Sequence, residues 1–286
     1  MLRRRVVTAV VLLLVLLPVL FYPAPAPFSG VALVFVVLGA WEWARLAGYG
    51  SAAAVGAAAV CALLCLAAWS GGWLEAPPQA LWAWSAVLWL LGGSWLLARG
   101  APAWTSLPRL LRLALGVLVL AVAWLAVARA RTLGINFLLS ALLLVWVADI
   151  FAYFAGRAWG TRIVARRLAP SISPGKSWEG VAGGMVGVVL LGFAWSWADR
   201  HWQVAVPSLY SGLAAVGPWL MLASVLWLAA MSVVGDLVES LVKRCAGVKD
   251  SSALLPGHGG VLDRLDALLP TMPLAMLLQS MAAGSR

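Results

Sequence analysis

Charge is what this chain is short of. Only 10% of its 286 residues are Asp, Glu, Lys or Arg, against about a quarter in soluble globular domains. That shortage excludes an ordinary soluble fold. Histidine is scarcer still: His201 and His258 are the only two, which leaves zinc without a ligand set. The three cysteines, Cys61, Cys65 and Cys245, form neither a metal-ligand spacing nor a disulfide framework. Cys61 and Cys65 lie one helical turn apart in an apolar run, where packing is their role. Short alternating segments are missing, which disfavours a β-barrel. No repeat of fixed period is visible.

What is present is apolar length. The chain is 64% hydrophobic, with a mean hydropathy of +0.97, and several runs reach the roughly 20 residues that cross a bilayer as a helix. Candidate spans lie near 6–22, 30–48, 51–69, 81–98, 110–129, 134–155, 178–198, 216–235 and 267–283. The expected fold class is therefore all-α: a polytopic helical integral membrane protein with about nine transmembrane helices. Breaks such as "PAPAPFSG", "EAPPQ" and "RGAPAWTSLPR" carry the Pro and Gly of surface turns. The N-terminus has a basic start and an apolar core but no clean cleavage site, so it reads as an uncleaved first span.

The net charge of +10 suits cytoplasmic loops and anionic headgroups rather than nucleic acid. Arg3, Arg4 and Arg5 put the N-terminus in the cytoplasm. Alternation then puts loops 99–109, 156–177 and 236–266 on the same side, each with its Lys or Arg residues, and the C-terminus outside. Arg129 and Arg131 fall on the wrong side. The 18 tryptophans gather partly at span ends, as an aromatic belt does. Polar residues concentrate after residue 140. Residues 1–130 thus read as a lipid-facing scaffold of transmembrane helices, and 131–286 as a catalytic region with a polar site facing the cytoplasm.

Only ten acids occur, five of them between 236 and 266. Glu75 and Asp199 fall in outer loops and are expected to be solvated. In "MSVVGDLVESLVKR", which continues the eighth span, Asp236, Glu239, Ser240 and Lys243 share one helical face. Ionisable groups at membrane depth are costly and usually functional; the bland alternative is a solvated helix end with Glu–Lys pairing. In "HGGVLDRLD", Asp263 and Asp266 are i, i+3, and Gly259 and Gly260 permit close backbone approach. Lys243, Arg244 and Lys249 precede them. Carboxylates mixed with Lys and Arg suit a polyphosphate carried with Mg²⁺, which keeps waters and bridges to substrate phosphates. His258 alone is as compatible with a structural hydrogen bond as with catalysis. "PGKS" fails as a P-loop because Pro170 stands where glycine is needed; what survives is Lys176 at a helix N-terminus, an anion site or a positive-inside anchor. Asp149, inside an apolar run, is either a site residue or the partner of a buried base, with the site preferred. Glu42 is similar but weaker, because Arg45 stands at i+3 to pair with it.

The stretch "SLVKRCAGVKDSSALLPGHGGVLDRLD", Ser240 to Asp266, resembles the signature of the phosphatidate cytidylyltransferases, the CDP-diacylglycerol synthases. That pattern, S-x-x-K-R-x4-K-D and then P-x-H-G-G-x-x-D-R-x-D, is met at every position. "ADIFAYFAGRAWG", "SPGKSWEG" and "WEWARL" are similar to other family segments, so the resemblance covers roughly 140–270; the earlier spans match only in character. It implies a Mg²⁺-dependent nucleotidyltransferase of the bacterial inner membrane. CTP and phosphatidate are the implied substrates, and CDP-diacylglycerol and pyrophosphate the products. The implied metal residues are Asp236 and Asp263, holding Mg²⁺ with room for a K⁺ as second ion. The candidate catalytic residues are Asp263, Asp236, Lys249, His258 and Asp266. Those for substrate binding are Lys176, Ser240, Lys243, Arg244, Arg264, Gly259, Gly260 and Asp149. The family often forms dimers, so a homodimer is an expectation to test. Two other readings stand beside this one: a related lipid or polyprenol phosphotransferase, and an ion-coupled secondary transporter. The second predicts matching broken helices in both halves, and the first half, nearly free of acids, shows none.

Overall fold

The computed structural model describes residues 2–284, with side chains from residue 6 onward. The arginines at positions 3–5 that orient the N-terminus therefore lie outside the described side chains. The apolar runs become helices because lipid offers no partner for a free backbone N–H or C=O. In chain order they are α1 (Leu2–Phe21), α2 (Ala26–Leu46), α3 (Ser51–Ser70) and α4 (Gln79–Val87), which passes through a π-helical turn at Leu88–Gly93 into α5 (Ser94–Arg99). The short α6 (Ala101–Ser106), α7 (Arg109–Leu133), α8 (Ile135–Trp159) and α9 (Trp178–His201) follow. The short α10 (Leu209–Ala214), α11 (Pro218–Cys245) and α12 (Leu268–Gly284) complete the chain. Among the described residues, seven stretches are long and apolar enough to cross a membrane, with α4 and α5 counted together. Val6–Phe21 and Leu268–Gly284 are shorter apolar helices. Each of the nine expected spans thus meets a helix, and no strand occurs among the described residues beyond two isolated bridges. Leu14, Leu63, Leu91 and Trp219 stand outward and exposed, an apolar exterior of the kind that marks a membrane surface.

Long-range hydrogen bonds sort the loops into two ends. At one end the Thr8 hydroxyl donates to Pro256 O at 2.8 Å, Arg109 donates to Gly48 O, and Lys176 meets Asp236. At the other end Arg131, buried, donates through Nε to Leu20 O at 3.1 Å and through Nη2 to Tyr22 O at 2.5 Å. Arg129 donates to Leu74 O at 3.0 Å. These two arginines break the charge rule because they satisfy carbonyls left open at the end of α1 and beyond α3. Asp199 lies at this end too. Its expected solvation is wrong: it is buried, accepting from Asn136 Nδ2 at 3.0 Å, from Ser208 N at 3.0 Å and from the Ser211 hydroxyl. It ties the starts of α8 and α10 to the end of α9. Glu75 is exposed, as expected.

The tightest helix pair is α8 against α9. A Cβ on Gly183 would fall 2.2 Å from the Ala155 Cβ, and one on Gly184 would fall 2.8 Å from Ala148 O. Small residues let two membrane helices touch backbone to backbone. This contact fixes the start of α9, with Lys176 just before it, against the C-terminal half of α8, which carries Asp149.

Candidate active site

Three segments converge at the Thr8–Pro256 end, two of them consecutive in sequence and the third some 70 residues earlier. The first is the last turns of α11, which runs to Cys245, ten residues past the expected span boundary. Inside it Lys243 pairs with Glu239, and Ser240 donates back to Asp236 Oδ1 at 3.3 Å. The intrahelical Glu–Lys pairing does form, but not in solvent: Glu239 is 1% exposed. Lys243 also reaches Asp263 Oδ1 at 2.5 Å, so it bridges α11 to the second segment.

That second segment, 246–267, is a loop closed by a 3₁₀ turn at Leu262–Arg264. The Asp263 Oδ2 accepts from Gly260 N at 2.8 Å and Ser251 N at 3.0 Å, with the Ser251 hydroxyl at 3.1 Å. Burial alone raises the Asp263 carboxyl, but the Lys243 ammonium and these amides outweigh it and leave its pKa below the usual carboxylate value. Asp266 behaves oppositely. Burial, and then the negative charge of Asp236, push it up to about 7 despite the Ala267 amide. The loop tolerates no side chain at Gly260, where a Cβ would sit 1.9 Å from Ser251 Oγ and 2.7 Å from the Glu42 carboxylate.

The third segment is loop 160–177 with the start of α9. Ser177 caps α9, accepting from Gly180 N at 3.1 Å. Glu179 folds the loop back by accepting from Val164 N at 2.8 Å and Ile163 N at 3.1 Å. Lys176 thereby points across to Asp236, and the two form an ion pair. Between α8, α9 and α11 lies a cavity of ≈ 350 Å³ lined by Asp149, Tyr153, Arg157, Lys176, Ser177 and Val233.

The expected residues thus divide. Asp236, Ser240, Lys176, Asp149, Lys243, Asp263 and Asp266 form one charged network. Gly259 and Gly260 pack behind Asp263. His258 is half-buried, its Nδ1 without a partner, and its backbone oxygen takes the Arg264 guanidinium at 2.6 Å. Arg244 is exposed and donates to Ile172 O at 3.2 Å, which ties the first and third segments together. Lys249 stands exposed on the loop.

One residue at the centre stands lower in the sequence reading than its place in the structure. Glu42 on α2 is fully buried and does not pair with Arg45, which bonds the Ser51 hydroxyl at 3.3 Å instead. Its carboxylate accepts from Leu262 N at 2.6 Å, Val261 N at 2.9 Å, Ser251 Oγ at 3.0 Å and the Ser252 hydroxyl. It holds the loop that carries Asp263. The one signal available was its position as an acid inside an apolar span.

The donors that could hold a metal are carboxylate oxygens, which suit a hard cation. Among the described residues no group of three or more His, Cys, Asp or Glu is arranged to hold an ion. Mg²⁺ does not need one, because it takes one or two carboxylates together with waters and substrate phosphates. Asp236, 29% exposed at its side chain against 7% for Asp263, has the greater spare capacity.

The chain matches the model of a cytidylyltransferase family over residues 3–282. It is 39% identical, over the full length of both chains, to a phosphatidate cytidylyltransferase of Pseudomonas aeruginosa. A protein of that name from Haemophilus influenzae is 46% identical over 140 residues, 49% of this chain and 44% of the relative. One from Staphylococcus epidermidis is 38% identical over 149 residues, 52% of this chain and 50% of the relative. Against these two, the chain spans about half of the relative's length.

Proposed function

The chain belongs to the cytidylyltransferase family, and from that membership we propose that it transfers CMP from CTP to phosphatidate, giving CDP-diacylglycerol and pyrophosphate. The observation that carries this reading at the site is the interleaving of two lysines with two aspartates, Lys176–Asp236 and Lys243–Asp263, drawn from three segments at one end of the bundle. An oxygen of the lipid phosphate attacks the α-phosphorus of CTP. A new P–O bond forms, the bond to the β-phosphate oxygen breaks, and pyrophosphate carries away the electron pair. The nucleophile is already anionic, so no strong base is required, and His258 positions rather than deprotonates. Transfers of this kind need alignment and charge neutralisation. Lys176 and Lys243 turn from their aspartates to phosphate oxygens, and the α9 N-terminus adds its dipole.

Asp236 and Asp263 would hold Mg²⁺, with K⁺ as a second ion, and Mg²⁺ would supply charge neutralisation on the triphosphate. Asp149 and Asp266 orient the lysines, and Arg244, Lys249 and Arg264 bind phosphate at the loop surface. The site faces the cytoplasm across the bacterial inner membrane, with the N-terminus on the same side, where CTP is available. A homodimer is the proposed assembly.

The test uses purified protein in mixed micelles of dioleoyl phosphatidate with radiolabelled CTP. Label entering the lipid phase only with Mg²⁺, and lost in Asp263→Asn, supports the reading. Persistent labelling in that variant removes Asp263 from the metal. Well-folded protein that labels no lipid overturns the activity.

A further inference from the structure

A second cavity, ≈ 220 Å³, opens on the other side of α11 from the Asp149–Lys176 cavity. Its walls are apolar and come from the π-helical turn at Leu88–Gly93, α5, α6, α7 and α11, with Trp43 of α2 and Leu269 of α12. Leu88 and Trp95 at its rim are 39% and 46% exposed, on the lipid-facing surface. Its floor differs. Trp89, Trp104 and Glu239 line it at 6%, 2% and 1% exposure. Both indole nitrogens and the Glu239 Oε1 are buried without a hydrogen-bond partner. Buried polar groups are nearly always paired, so three orphans lining one cleft call for an occupant. Two are donors set in an apolar slot, which is the complement of a carbonyl on a hydrocarbon chain. π-helical turns are frequent at functional sites, and this one carries Trp89, one of the two donors.

The floor is continuous with the charged network, since Glu239 pairs with Lys243, and Lys243 with Asp263. An amphiphile whose anionic head lies at Lys243 therefore has its ester region at the height of this cleft. Resting on the proposed function, we propose that the cleft receives the glycerol–ester segment of phosphatidate. An ester carbonyl accepts from the Trp89 and Trp104 N–H groups, and an acyl chain leaves past Leu88 and Trp95 into the bilayer. The lipid and the nucleotide then approach Asp236, Lys243 and Asp263 from opposite sides of α11.

The test is photo-crosslinking of the full-length protein in nanodiscs, using phosphatidate with a diazirine near the ester end of one chain, and mapping of the labelled peptides. Labelling of segments 88–96 and 115–119 that is competed by unlabelled phosphatidate supports the proposal. Labelling confined to other faces overturns it, as does equal labelling by the matching phosphatidylcholine probe, which would mark a general lipid contact. Trp89→Phe with Trp104→Phe keeps the rings and removes both donors. Two neutral hydrogen bonds predict a rise of about tenfold in half-saturating phosphatidate, with the value for CTP unchanged. No rise, or an equal rise for both substrates, counts against the assignment. Wild-type protein that transfers CMP but crosslinks elsewhere loses only the cleft. Wild-type protein that transfers nothing loses the reaction, while the crosslinks still report whether phosphatidate occupies the slot.

Discussion

Asp263, the proposed metal residue, is held on both of its carboxylate oxygens. Asp263 takes Lys243 on one oxygen and the amides of Gly260 and Ser251 on the other, and that loop is pinned in turn by Glu42. Glu42→Ala leaves two buried amides without an acceptor, at roughly 1–3 kcal/mol each. Glu42→Gln is the sharper probe, because one end of its amide is a donor facing donors. The expected result is a lower melting temperature in detergent and a fall in kcat of at least tenfold, with KM for CTP nearly unchanged. Rescue by added Mg²⁺ would show that ion binding, not loop order, had been lost. Glu42 ranked low in sequence because local spacing offers only Arg45 at i+3, whereas its partners lie more than 200 residues away. The Ser240–Asp266 motif was legible for the opposite reason. Its acids, bases and glycines are packed into 27 residues, so both their clustering and their resemblance to a family signature are visible along the chain.

At the scale of elements, hydrophobic runs located every membrane helix because the bilayer permits little else. They did not reveal how the helices meet. The α8–α9 contact depends on glycines whose role shows only once Ala148 and Ala155 are opposite them. Gly184→Leu would drive a side chain into Ala148 O and push apart the helices that set Asp149 against Lys176. We expect loss of at least 90% of activity in protein that still inserts, and weaker CTP binding by equilibrium dialysis. Gly56→Leu on α3, where a Cβ would meet open space, serves as the matched control and should leave activity near wild type. Equal loss in both variants would mean that any bulky substitution in a membrane helix disturbs the enzyme, and the close contact would carry no special weight. The π-helical turn likewise left no trace in composition, since "LWLLGG" reads as ordinary apolar helix.

At the scale of the whole molecule, one geometric fact bears on orientation. Loops alternate between two ends as nine spans require. The end of α2, the 47–50 and 99–109 turns, loop 160–177 and loop 246–267 gather with the start of α1. The carbonyls capped by Arg129 and Arg131 lie at the other end. Seen this way the charge asymmetry sharpens, because the two arginines that oppose the positive-inside rule are committed to backbone carbonyls and are not free to meet headgroups. The remaining basic residues of loops 160–177 and 246–267, many of them exposed, share the end that holds the site. Orientation can then be measured independently of catalysis. With Cys61, Cys65 and Cys245 replaced, single cysteines at exposed Ala253 and exposed Gln203 sample the two ends. In intact spheroplasts a membrane-impermeant maleimide should label position 203 and spare 253, and lysis should open 253. The reverse pattern would put the triphosphate site on the side without CTP, and the proposed reaction could not run in the cell whatever the purified protein does. Labelling of both positions before lysis would mean that the two ends are not separated by the bilayer, which would break the nine-span alternation itself.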